Sequence, residues 1–192
     1  MEKIDITNRC VNGDLNELIK LQNEGYKFKY NRNIINWTSE NGHVHILEWF
    51  KNSGYEFKYD ERAIYWASRN GHVHILEWFK NSGYELKYDE KAINYGASGN
   101  GHVHILDWFK NSGYKFKYNK CAINIASEYN NINVMEWFKN SGYKLKYNKE
   151  AIYWASSYGD TIISEKNNKY IFNWFKNNNY KTRLYYIKQY KH

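Results

Sequence analysis

Residues 41–55, NGHVHILEWFKNSGY, recur unchanged at 70–84 and again at 100–114 with Asp107 as the one change. An active site is built once, so a segment rewritten at a fixed interval predicts a structural unit stacked on copies of itself. The Trp-Phe-Lys-Asn signature carries the count outward: Trp49, Trp78, Trp108, Trp137 and Trp174 stand 29, 30, 29 and 37 residues apart. A single domain over residues 1–192 is expected, made of six units. They are a degenerate N-terminal cap (1–30), four close copies (31–59, 60–88, 89–118 and 119–147), and a degenerate last unit (148–192) with an insertion near 160–168 and a basic tail.

Each unit reads as helix, turn, helix, connector. In DERAIYWASRNG, Ala63, Ile64 and Ala67 fall at helical spacing, Asp60 is placed to cap the start, and Asn70-Gly71 to stop the helix. In HVHILEWFKNSG, Val73, Leu76 and Phe79 make one stripe and Ile75 and Trp78 an adjoining one, before Ser82-Gly83. YELKY then alternates as an extended connector, with Leu86 and its equivalents Phe57 and Phe116 pointing inward. Isolated helices this short are marginal in water, so stacking must supply the missing burial. Each large apolar side chain then contributes roughly 1.5–3 kcal/mol before entropy. On this reading Trp78→Ala should unfold the protein, by roughly 3–5 kcal/mol.

In the first unit, polar Arg9, Glu17 and Lys20 take the places of Ala67, Ile75 and Trp78, as a solvent-facing cap requires. The unit at 89–118 is longer by one residue. Gly96 either bulges the first helix or replaces the buried alanine and lengthens the turn at Gly99; the second keeps the helical period and is the expectation.

Composition sets bounds. With 192 residues, 42% hydrophobic and 19% aromatic, the chain can bury a sizeable core. No apolar stretch approaches the roughly 20 residues of a membrane span, and MEKIDITNRC lacks a signal-peptide core, so a soluble, intracellular protein is expected, without membrane contact. Cys10 and Cys121 imply no disulfide framework or metal site. The net charge of +8 favours acidic partners in general. Absent Pro and abundant Asn, Lys, Ile and Tyr are the mark of an AT-rich genome.

ASRNGHVHILEWFKNSGYELKY resembles the second half of an ankyrin repeat at Ala67, Asn70, Gly71, His72, Val73, Ile75, Leu76, Trp78, Phe79 and Gly83, and the other copies match at Gly42, His43, Gly101 and His102. The resemblance implies an all-α, ankyrin-like helix-turn-helix solenoid with short connectors and about six stacked repeats of 29 to 30 residues. With its tryptophans in the second helix and its composition, the chain is similar to the ankyrin-repeat proteins of giant DNA viruses of amoebae. That implies a monomer in a host cytoplasm, the nucleus remaining open, and a partner protein of the host cell. The chain departs from the pattern where Arg62-Ala63-Ile64-Tyr65 replaces the T-P-L-H opening. The shortened period removes the residues of the projecting hairpin finger, and a finger-tip binding surface with them.

Six of seven histidines form pairs, His43 with His45, His72 with His74, His102 with His104. Residues two apart on a helix point about 200° apart, and stacked helices lie roughly 8–10 Å apart, so one ion cannot collect them. The pattern assigns these histidines to the turn and to inter-repeat packing; no metal and no cofactor is expected. Glu48, Glu77, Asp107 and Glu136 stand three residues before Lys51, Lys80, Lys110 and Lys139, as helix-surface ion pairs do. No nucleotide-binding, metalloprotease or serine-hydrolase motif occurs, and no catalytic residue is nominated.

Two binding surfaces remain. Within a constant frame the first helix and its turn vary at Arg62, Lys91, Cys121 and Glu150, at Tyr65, Asn94, Asn124 and Tyr153, and at Glu40, Arg69, Glu128 and Ser157. Such positions line the concave surface through which repeat proteins bind, so a non-catalytic protein-protein interaction module is the expected function. The alternative is a nucleic-acid ladder of Lys29, Lys58, Lys87, Lys117 and Lys146, each followed by Tyr (Tyr30, Tyr59, Tyr88, Tyr118, Tyr147), with a salt slope of roughly −4 to −5. A third reading is a lineage-expanded structural repeat protein with no dedicated partner.

Overall fold

Glycine at the turn and serine at the helix end punctuate the repeat. In 41–55, Gly42 adopts φ +75°, and a side chain there would press on the His72 and His74 rings of the next copy, both at 3.1 Å. The position therefore requires glycine on two counts, backbone conformation and close approach. At the other end, the Ser82 hydroxyl donates to the Phe79 carbonyl at 2.9 Å and accepts the Tyr84 amide at 3.1 Å, with Gly83 left-handed at φ +87°. Ser53, Ser112 and Ser141 close their helices in the same way.

The computed structural model describes residues 3–31, 33–157, 164–178 and 180. The chain is mostly helical, 60% in helix with few strands, and divides into two compact units, Met1–Ala92 and Ile93–His192. In the first unit, β1 (Lys3–Asp5) pairs in parallel with β2 (Lys27–Lys29), Ile4 opposite Phe28, a short ribbon that an all-α reading does not anticipate. Three helix pairs follow the chain: α1 (Thr7–Asn12) with α2 (Leu15–Asn23), α3 (Asn33–Glu40) with α4 (Val44–Asn52), and α5 (Arg62–Arg69) with α6 (Val73–Ser82). First helices pack on first helices (α1 on α3, α3 on α5) and second on second (α2 on α4, α4 on α6).

A π-helical segment, Ala92–Ala97, spans the division, and the second unit repeats the plan with α7 (Val103–Asn111), α8 (Cys121–Glu128), α9 (Ile132–Asn140), α10 (Lys149–Ser157) and α11 (Ser164–Asn177). Here α8 packs on α10, α7 on α9, and α10 on α11. The last repeat's second helix starts at Ser164, so much of the expected insertion is helix. Residues 158–163 and the basic tail 181–192 lie outside the described residues.

The core is a register of equivalent side chains. Phe50, Phe79, Phe109, Phe138 and Phe175 are each fully buried, as are Ile46, Ile75 and Ile105 and, on the first helices, Ala63, Ala122 and Ala151. Trp78 is only half-buried, so the dominant anchor of its helix is Phe79. Connectors alternate as expected, with Phe28 and Leu86 buried and Phe57 half-buried but stacked on Tyr84 at 4.3 Å.

The extra residue of the 89–118 repeat does not lengthen the turn. Ala97 and Ser98 occupy the buried places of Ala67 and Ser68, and the Ser98 amide donates to the Ile93 carbonyl five residues back at 2.9 Å. The helix absorbs the residue as a π-helical bulge. The reason lies downstream: the His102 amide reaches the Ala97 carbonyl at 2.9 Å, just as His72 reaches Ala67 at 2.8 Å, so the turn keeps the shape its neighbour reads.

Candidate interaction surface

Most recurring polar residues are spent on holding repeats together. His43 Nε2 lies 3.0 Å from the Val11 carbonyl and His45 Nε2 2.9 Å from that of Gly13; His72 and His74 do the same to Glu40 and Gly42 at 3.0 and 2.9 Å. Each pair thus reads two carbonyls of the preceding turn. In the repeat at 119–147 Asn131 and Asn133 replace the histidines and donate to Ser98, Gly99 and Gly101 at 2.8–3.0 Å. An amide N–H serves the same acceptors as an imidazole N–H.

The acidic row behaves differently from expectation. Glu48 accepts the Trp78 indole N–H at 2.7 Å, Asp107 that of Trp137 at 2.6 Å, and Glu136 that of Trp174. Among the expected ion pairs, Glu136 with Lys139 is formed, at 3.8 Å. Facing tryptophans offer fixed donors across the repeat boundary, and a charged acceptor gains more from such a bond than from a solvated lysine. Bonds from Trp78, first, and Asn52 hold the Glu48 carboxyl below the usual glutamate range.

The variable helix-1 positions divide. Asn94 and Asn124, which sequence variation assigns to a binding surface, are both buried, as is the equivalent Asn36. Asn36 donates to Asp60 at 2.9 Å, Asn94 accepts the Asn119 amide at 3.2 Å, and Asn124 donates to Asn148 at 2.6 Å and Glu150 at 2.9 Å. Their amides tie one first helix to the start of the next, because a short side chain at that position reaches the neighbouring loop and not solvent.

What stays outward is most developed on α5. Arg62, Tyr65, Trp66 and Arg69 follow i, i+3, i+4, i+7 spacing and share one helix face. Arg62 and Arg69 are exposed and Tyr65 and Trp66 half-buried. The Tyr65 and Trp66 rings meet edge to face at 4.8 Å, and the Arg69 guanidinium lies 5.0 Å above the Trp66 ring. Arg62 is held by Asp60 at 2.8 Å and bonds Asn33, its counterpart one repeat earlier, at 3.0 Å. The Arg62 side chain, as the largest cause, keeps the Asp60 carboxyl below its ordinary range.

Around this stripe, Glu40 is half-buried and Lys91 is exposed beside Asp89, at 3.8 Å. In the second unit Cys121 and Glu128 are half-buried, and Glu150 and Tyr153 exposed. The side chain of Ser157 lies outside the described residues. Tyr95 (42% exposed) and Tyr129 (63%) also face out there. Trp66 and Tyr95 lie next to variable positions, outside the set that variation picks out. The i+4 spacing of Trp66 from Arg62 was the available signal.

Three lysines of the expected ladder are individually engaged. Lys58 pairs with Glu56 at 2.7 Å, Lys87 lies 4.5 Å over the Tyr59 ring, and Lys146 lies 4.0 Å over Tyr118. Their tyrosines are structural ties: Tyr30, Tyr59 and Tyr118 donate to the carbonyls of Glu56, Glu85 and Lys144 at 2.6–2.8 Å. Burial pushes the Tyr59 phenol up to about 12. Lys29 is exposed on β2 and Lys117 half-buried.

Both cysteines are free, and burial pushes the Cys10 thiol up to about 12, which disfavours its nucleophilic form. Among the described residues no cluster of three His, Cys, Asp or Glu could hold a metal ion, and no helix is long and apolar enough to cross a membrane. No protein-family model and no curated protein matches the chain.

Proposed function

We propose that the protein is a non-catalytic, ankyrin-like repeat module that binds another protein through the outward face of its first helices, centred on Arg62, Tyr65, Trp66 and Arg69. The observation that carries the reading is the contrast within one repeat. Histidines, the Glu48-type acids and the buried asparagines serve the neighbouring repeat, while the α5 face presents two arginines around two aromatic rings. Trp, Tyr and Arg supply most of the binding energy in protein interfaces because they bury large area at low entropic cost. The stacked helix pairs in each unit support the solenoid reading, and the resemblance to viral ankyrin proteins makes a host protein the first candidate partner. Glu40, Lys91, Glu128, Glu150 and Tyr153 extend the surface.

Affinity capture from a host-cell lysate with nuclease present tests this. A protein should be retained near stoichiometry by the natural chain and lost, by tenfold or more, with Tyr65→Ala/Arg69→Ala, while the helical signal and melting midpoint persist. Equal retention by both chains would place the binding surface elsewhere.

A further inference from the structure

The lysine ladder is not one feature but two. In connectors 56–59 and 85–88 the first position is acidic, Glu56 and Glu85, and the next helices open on Asp60-Glu61 and Asp89-Glu90. Connectors 115–120 (KFKYNK) and 144–149 (KLKYNK) put Lys or Asn at every one of those positions. Charge follows: Met1–Ala92 holds 13 Lys and Arg against 14 Asp and Glu, Ile93–His192 holds 15 against 6.

The two basic connectors are neighbours within the second unit. The Tyr118 hydroxyl donates to the Lys144 carbonyl at 2.8 Å, Phe116 stacks on Tyr143 at 4.3 Å, and Lys146 Nζ reaches the Tyr118 carbonyl at 3.4 Å. Their side-by-side register brings Lys115, Lys117, Lys120, Lys144, Lys146 and Lys149 onto one edge. All but Lys117 are exposed, and Glu150 is the acid nearest in sequence.

We propose that this edge binds the phosphate backbone of a nucleic-acid duplex without reading its sequence. Six cations with little intervening acid suit a dense polyanion, whose released counterions drive binding. The tyrosine faces favour a duplex over a single strand. The Tyr118 ring carries Lys146 on one side and packs against Phe138 at 5.2 Å, so it offers no platform for an unstacked base. Phosphate contact alone is what remains, and a duplex presents phosphates with its bases already stacked. The site shares no residue with the Arg62 to Arg69 stripe.

Fluorescence anisotropy with the full-length protein and a short mixed-sequence DNA duplex tests it. The natural chain should bind with a log-log salt slope of about −5 between about 50 and 200 mM salt. Lys115→Glu/Lys144→Glu recreates the connectors that the chain itself carries at Glu56 and Glu85, so it should keep the melting midpoint. It should lower affinity at least tenfold and flatten the slope by about 2. Lys58→Glu/Lys87→Glu, the same change in charge on the other connectors, should leave the slope unchanged; Gln pairs replace any Glu pair that shifts the midpoint. No duplex binding at low salt, equal losses from the two pairs, or tighter binding of single-stranded DNA, poly-glutamate or phosphatidylserine vesicles would each overturn the assignment.

Discussion

At the scale of single residues, the turn histidines show how a repeat protein spends its polar side chains. His72 lies against the Glu40 carbonyl, which also accepts from Asn70 at 2.7 Å, and Asn131 performs the matching task in the second unit with an amide. The chemistry required is one N–H at the right reach. His72→Asn should therefore stay near the natural stability, whereas His72→Ala, which leaves a part-buried acceptor underserved, should cost about 1 kcal/mol. Urea denaturation of both variants checks this, and an equal loss from the two would mean that ring packing and not the hydrogen bond is what the site needs. The histidine pattern was legible in the sequence as structural. That it reads carbonyls of the previous turn was not, because the partner atom is on the backbone some 32 residues away.

At the scale of elements, the π-helical segment Ala92–Ala97 shows which part of a repeat can yield. The bulge leaves the turn intact but turns the Tyr95 carbonyl toward Gly99, where a side chain's first carbon would sit 2.5 Å from that oxygen. Gly99→Ala should thus destabilise by about 1–3 kcal/mol through overpacking. Deleting Gly96 should restore the 29-residue repeat and an ordinary helix, and in that background Gly99→Ala should become harmless, since the equivalent Arg69 carries a full side chain. A double-mutant cycle followed by thermal melting reads the coupling, and additive effects would rule it out. Helical periodicity alone favoured a longer turn; the decisive constraint is that the next repeat reads the turn and not the middle of the helix.

At the scale of the molecule, stability rests, within each unit, on the buried second-helix phenylalanines, and the proposed function on what they leave over. Phe79 is completely buried and Trp78 half-buried with its N–H on Glu48, so Phe79→Ala should cost roughly 3–5 kcal/mol and Trp78→Ala less, despite the larger ring. Denaturant midpoints from far-ultraviolet circular dichroism give the order, and the reverse order would show that the indole carries the helix. The two proposed interactions draw on residues that neither these phenylalanines nor the turns require: the Arg62 to Arg69 stripe in the first unit and the paired lysine connectors in the second.

The repeat, its helix-turn-helix plan, the capping Asp60 and Ser82, the buried Ile-Leu-Phe register and the polar first repeat were all determined by the sequence alone, because they depend on spacing within about a dozen residues or on copies of one pattern. Tertiary structure alone decided the fate of the polar side chains. Glu48 has a lysine one helical turn away and a tryptophan 30 residues away, and it chose the second; Asn124 looked variable and proved buried. Local spacing cannot rank such choices, since a stacked repeat brings residues about one period apart as close as residues one turn apart, and the stronger or drier hydrogen bond then wins.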